Sequence, residues 1–61
     1  MNGEEIEQLR AISIKLSEIK MAAQILKENA GGLPGLECNI NRILASIKML
    51  EINFSDILEV L

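Results

Sequence analysis

The chain has 61 residues, which is close to the lower size limit for a domain that folds alone. It contains one cysteine and no histidine, so an internal disulfide is excluded, a structural zinc site is not expected, and self-association remains as the source of extra stability. The formal charge is −3, the six basic residues are scattered singly, and Phe54 is the only aromatic residue, so we expect no nucleic-acid binding.

Membrane insertion is not expected either. Apolar runs such as Met21-Ala22-Ala23 are soon interrupted, and none approaches the roughly 20 residues that span a bilayer. The first residues, Met1 to Glu5, are acidic where a signal peptide is basic, and a lone cysteine suits a reducing compartment. We therefore predict a single helical-hairpin domain over residues 1–61, located in the cytoplasm.

The first predicted helix covers residues 3–29. Asn2, followed three residues later by Glu5, resembles a capping box that starts a helix. Apolar side chains then follow at alternating spacings of three and four, which is the a/d seam of a heptad pattern. The seam of the first helix consists of Leu9, Ile12, Leu16, Ile19, Ala23 and Leu26.

A segment rich in glycine, residues 29–35, separates the two predicted helices. Gly31 or Gly32 is expected to take the left-handed conformation that closes a helix, and Pro34 suits the first turn of the next one. The second helix is predicted over residues 34–61, with Leu44 and Leu58 flanking its seam. That seam consists of Leu36, Ile40, Ile43, Ile47, Leu50, Phe54, Ile57 and Leu61.

The two seams predict an all-α fold, a two-helix antiparallel hairpin that assembles into a homodimeric four-helix bundle. Two helices shield only part of each other's seam, and pairing two hairpins encloses the rest. The predicted oligomer interface consists of Leu9, Ile12, Leu16, Ile19, Leu26, Ile40, Ile43, Ile47, Leu50, Phe54 and Ile57.

A second apolar line lies opposite the seam on each predicted helix, since successive residues are about 100° apart. One interpretation is a second contact surface, between dimers or for another protein. The other is that these are single surface hydrophobic residues without a role. The candidate second interface consists of Ile14, Met21, Ile25, Ala45, Met49 and Ile52.

No catalytic residues, cofactor or metal are expected. Histidine-based triads and the Glu-x-x-His motif of di-iron bundles need a residue that the chain lacks. The segment Gly31 to Gly35 lacks the Lys-Ser/Thr of a phosphate-binding loop. Most carboxylates are expected on solvated flanks, and Glu51 and Asp56 fall on different faces, so they form no acid–base pair. We therefore predict a chain that is not an enzyme.

Two features of the second helix leave alternatives open. Cys38 lies on the back face, where it is either a redox or cross-linking thiol or a small apolar filler, and we expect the filler. Asn39, Ser46 and Asn53 recur every seven residues at g positions beside the seam. They form either a hydrogen-bond ladder that fixes the register between helices or an ordinary solvated flank.

The segment Ser55-Asp56-Ile57-Leu58-Glu59 resembles the Ser-Gln-Glu-Leu-Asp signature of the small Spo0E-like phosphatases, helical hairpins that act on the aspartyl phosphate of response regulators. Ser55 and Leu58 match and Glu59 is a conservative change, whereas Asp56 and Ile57 depart from the signature. The resemblance covers five residues of 61. It implies an alternative function, hydrolytic regulation of a response regulator.

The predicted function is that of a small cytosolic helical oligomer, a non-catalytic protein-interaction or regulatory module. Its expected partner is the chain itself, as a dimer or tetramer, together with another protein if the second interface is used. Nucleic acid and membranes are not expected partners. The alternatives are the phosphatase-type regulator and a structural subunit of a larger complex.

Overall fold

The computed structural model describes residues 2–60 and contains two α-helices, α1 (Gly3–Asn29) and α2 (Pro34–Val60). The helices pack against each other as a hairpin that measures 48 × 16 × 10 Å. The predicted all-α hairpin and its helix bounds are confirmed over these residues. Leu61, the predicted last residue of the second helix, lies outside the described residues.

The predicted N-cap of α1 is present. The Oδ1 atom of Asn2 accepts a hydrogen bond of 2.8 Å from the backbone N–H of Glu5, and Asn2 itself has extended backbone angles. This bond satisfies one of the free amides of the first turn. The carboxylates of Glu4 and Glu5 lie in that turn, where the helix dipole favours negative charge.

The turn between the helices closes as the glycines predict. The backbone N–H of Ala30 donates to the carbonyl oxygens of Leu26 and Lys27 at 3.0 and 3.2 Å, which ends α1. Gly32 then adopts a φ of +87°, a left-handed conformation that side-chain-bearing residues rarely take. Pro34 begins α2, where its fixed φ suits the first helical position.

The helices contact each other along one line of side chains on each. The line recurs every seventh residue, because seven residues make about two turns of a helix and so return to the same face. Ala23, Ala30, Ile40 and Ile47 are buried, and Leu9, Leu16 and Phe54 are half-buried. We call these seven residues the hairpin core.

The hairpin core contains six of the fourteen predicted seam residues, and Ala30 in addition. Ile40 and Ile47 keep 3% of their surface exposed, whereas Ile43 between them keeps 46%. Two helices can present one line each to one another, so the alternate seam positions remain outside the contact. A single chain therefore leaves the other half of its heptad pattern exposed.

Candidate functional site: an apolar face on the hairpin

The exposed part of the seam forms a continuous apolar surface along the hairpin. Each of its residues keeps between 39% and 53% of its surface exposed, although all are isoleucine or leucine. We call this set the apolar face. It consists of Ile12, Ile19, Leu26, Leu36, Ile43, Leu50 and Ile57.

Both helices contribute to the apolar face from the same side of the hairpin. Viewed down the helix axis, these residues lie about 40 to 60° from the hairpin core on each helix. The direction from the core to these residues is opposite to the rotation by which the helix advances from one residue to the next. Because the helices are antiparallel, that direction leads to the same side from α1 and from α2. Ile12 and Ile57 accordingly line one shallow groove of about 270 Å³, together with Glu5, Gln8 and Leu9.

The opposite side of the hairpin is polar at its centre. The Nζ atom of Lys20 on α1 lies 3.2 Å from Oε2 of Glu51 on α2, and this ion pair bridges the helices. Ser13 and Ser17 line a groove with Glu51 beside it. We call this side, consisting of Ser13, Ser17, Lys20 and Glu51, the polar face. Glu51, expected on a solvated flank, is half-buried here, where it pairs with Lys20 of the other helix.

A second carboxylate also departs from the expectation of a solvated flank. Glu37 is half-buried, and its Oε1 atom accepts a hydrogen bond of 3.3 Å from the backbone N–H of Gly32 in the turn. This contact ties the first turn of α2 to the glycine whose backbone is left-handed. Glu37 therefore has a structural role in the turn.

The predicted oligomer-interface residues divide into two groups. Five of them belong to the hairpin core: Leu9, Leu16, Ile40, Ile47 and Phe54. The other six belong to the apolar face: Ile12, Ile19, Leu26, Ile43, Leu50 and Ile57. The second group is free to contact another molecule, and the first already has its contacts within the chain.

The candidate second interface is exposed but divided. Ile14, Met21 and Ile25 keep more than half of their surface exposed on α1, and Met49 and Ile52 keep 58% and 45% on α2. All lie roughly opposite the hairpin core of their own helix, so they point to the two outer edges of the hairpin. We call them the outer stripes: Ile14, Met21 and Ile25 on α1, and Ala45, Met49 and Ile52 on α2. The two stripes do not form one continuous surface on a single chain.

The remaining candidates of α2 are also exposed. Cys38 is a free, exposed thiol. Asn39, Ser46 and Asn53 are exposed along the margin of the apolar face, as their g positions require. The segment of residues 55–59, which resembles the phosphatase signature, is exposed in the last turns of α2.

Sequence reasoning missed the bridge between Lys20 and Glu51 and the burial of Ala30. Lys20 and Glu51 each follow a core residue by four positions, Leu16 and Ile47, so the heptad pattern itself could have paired them. The predicted loop includes Ala30, although Ala30 continues the seven-residue series of Leu16 and Ala23. In both cases the number of residues that separate a residue from a member of the hairpin core predicts its place in the structure.

Within residues 2–60, neither helix is long and apolar enough to cross a membrane. The same residues contain no group of three or more histidine, cysteine, aspartate or glutamate side chains placed to hold a metal ion. Comparison of the chain with protein-family models, curated proteins and solved structures found no match.

Proposed function

We propose that this chain is a non-catalytic protein-interaction module whose working form is a homodimeric four-helix bundle, assembled through the apolar face. The observation that carries the proposal is the apolar face itself: seven large aliphatic residues on one side of the hairpin, each 39% to 53% exposed. Exposed apolar patches of this extent mark interaction surfaces.

The single chain exposes more surface than a compact protein of its mass. Its accessible surface is 4814 Å², whereas a compact monomer of 6.7 kDa is expected to expose about 3,900 Å². The excess is about 900 Å². A standard protein–protein interface removes about 800 Å² from each partner, so one interface accounts for the excess.

The core of the single chain is also thin. Ile40 and Ile47 are the large side chains that are buried, and the other buried residues, Ala23 and Ala30, contribute one methyl group each. Burying an isoleucine or leucine fully contributes roughly 1.5 to 3 kcal/mol. Covering the apolar face would therefore add buried aliphatic surface to this thin core.

Two matched substitutions on α2 test the proposal. Ile43 on the apolar face and Ile52 on the outer stripe are both isoleucines, 46% and 45% exposed, and about 180° apart around the helix. We expect Ile43→Lys to convert a dimer into a monomer, because it places a charge in the covered interface, and Ile52→Lys to leave the dimer intact. Light scattering coupled to size exclusion at micromolar concentration measures both masses. A monomeric parent chain, or equal behaviour of the two variants, would refute the proposal.

The non-catalytic part of the proposal is tested against the phosphatase resemblance. We expect that adding the chain to phosphorylated response regulators leaves the rate of phosphate loss unchanged, because Asp56 and Ile57 depart from the signature at two of its five positions. Loss of acetyl-phosphate-derived label from the regulator over time is the measurement. Accelerated loss that disappears in Ser55→Ala would favour the phosphatase-type regulator instead.

The proposed location is the cytoplasm. An exposed free thiol such as Cys38 is compatible with a reducing compartment and is a liability in an oxidising one. Fractionation of the native cell followed by detection of the chain tests this location.

A further inference from the structure

The apolar face is symmetric along the hairpin. On α1 its residues are centred on Ile19, and on α2 they are centred midway between Ile43 and Leu50. The groove that Ile57 shares with residues 5, 8, 9 and 12 places Ile57 level with about residues 8 and 9 of α1. A step of about ten residues toward the turn on both helices then places Ile19 level with the midpoint between Ile43 and Leu50. One axis across the hairpin therefore passes through both centres.

We propose that the occupant of the apolar face is a second copy of this chain in the opposite orientation, with the two turns at opposite ends of the bundle. The inference rests on the proposed homodimer and specifies its geometry. A two-fold rotation about the axis through both centres stacks α1 on α1 and α2 on α2, each pair antiparallel. Ile19 then meets Ile19 of the second copy, Ile43 meets its Leu50, and Leu36 meets its Ile57.

The distribution of charge favours this orientation over the one with both turns at the same end. The end of the hairpin away from the turn carries five carboxylates and one arginine: Glu4, Glu5, Glu7, Asp56, Glu59 and Arg10. The turn end is balanced, with two basic and two acidic residues: Lys27, Arg42, Glu28 and Glu37. Turns at the same end would bring two acidic ends within about a Debye length of each other. Opposite turns place each acidic end beside a neutral one.

The polar line of α2 is self-complementary in the same orientation. Asn39, Ser46 and Asn53 lie about 100° from the hairpin core, on the side of α2 that faces the second copy. Ser46 is level with the centre of the apolar face, so it meets Ser46 of the second copy, and Asn39 meets its Asn53. Amide side chains can both donate and accept hydrogen bonds, so paired asparagines satisfy each other and fix the register. With the turns at the same end, this line would instead face α1 of the second copy.

Disulfide trapping distinguishes the two orientations. In a Cys38→Ala background, we expect Ser46→Cys to form an interchain disulfide on oxidation, because the two cysteines lie together on the two-fold axis. Ser55→Cys is the matched control, since Ser55 is an exposed serine of the same helix about 180° from Ser46. Non-reducing gels should show most of the Ser46→Cys chain at twice its mass and little of the Ser55→Cys chain.

A second trap detects the opposite result. Ala22→Cys mixed with Ser46→Cys cross-links if both turns lie at the same end, because α1 then stacks on α2 of the second copy. The solution mass of each sample and its helicity by circular dichroism are measured before oxidation. A dimer in which the mixture cross-links and Ser46→Cys alone does not would overturn the orientation and leave the homodimer standing. A monomer would overturn both proposals.

A third trap covers the case in which Ser46→Cys fails to fold. Asn39→Cys and Asn53→Cys, each in the Cys38→Ala background, are prepared separately and then mixed. We expect a cross-link in the mixture and none in either chain alone, because each of the two positions meets the other across the axis. Cross-linking within either chain alone, or none in the mixture of a folded dimer, would overturn the proposed orientation.

Discussion

The apolar face and the outer stripes are both apolar and similarly exposed, yet they differ in what they can form. Ile43 and Ile52 are exposed to almost the same degree, as are Ile19 and Ile25. The apolar face gathers side chains from both helices on one side, whereas the outer stripes point to opposite edges. Exposure of a single residue therefore says little about an interface. The decisive property is continuity across helices.

The largest expected difference between the two regions is in stability. Ile19→Ala should lower the free energy of unfolding by about 2 to 5 kcal/mol per chain at concentrations where the dimer forms, because Ile19 is then a core residue. Ile25→Ala, with 51% exposure against 47%, should change it by less than about 1 kcal/mol. Urea unfolding followed by circular dichroism measures both changes. Equal losses would show that the apolar face is no better covered than the outer stripe.

The concentration dependence of this measurement separates the two halves of the seam. Ile47 is buried within a single chain, so Ile47→Ala should destabilise at every concentration, whereas the cost of Ile19→Ala should fall as dilution separates the hairpins. A cost for Ile19→Ala that does not vary between micromolar and nanomolar chain would mean that its contacts lie within the hairpin.

The sequence was sufficient to predict both helices, the Asn2 cap and the turn. Heptad spacing, a capping residue and a Gly-Pro segment are local signals, and each acts within a few residues of its position. The sequence predicts the left-handed conformation at Gly31 or Gly32, and Gly32 is the residue that adopts it, with a φ of +87°. Local chemistry does not separate these two glycines, since either can take that conformation.

The sequence was not sufficient to predict which half of the seam faces the other helix. Ile40 and Ile43 are identical in chemistry, and isoleucine and leucine occur on both lines of the seam. The small side chains of Ala23 and Ala30 favour their own line for the contact, because two helices can approach closely where a side chain is a single methyl group. Both alanines belong to the hairpin core. The ion pair between Lys20 and Glu51 bridges the two helices next to the hairpin core.

The smallest expected effect belongs to the outer stripes. Met21→Lys combined with Ile52→Lys should leave both the mass of the assembly and its helicity unchanged. Both residues lie far from the apolar face, and on a single hairpin they lie on different edges, where a lysine remains in water. Size exclusion with light scattering and circular dichroism provide the two measurements.

If the parent chain is a tetramer that these changes reduce to a dimer, the outer stripes are a second interface between dimers. If the mass stays constant while a protein that the parent chain captures is lost, they are a docking surface for that protein. A constant mass with capture unaffected means that the exposed methionines and isoleucines of the outer edges are ordinary surface, and that the chain associates through the apolar face alone.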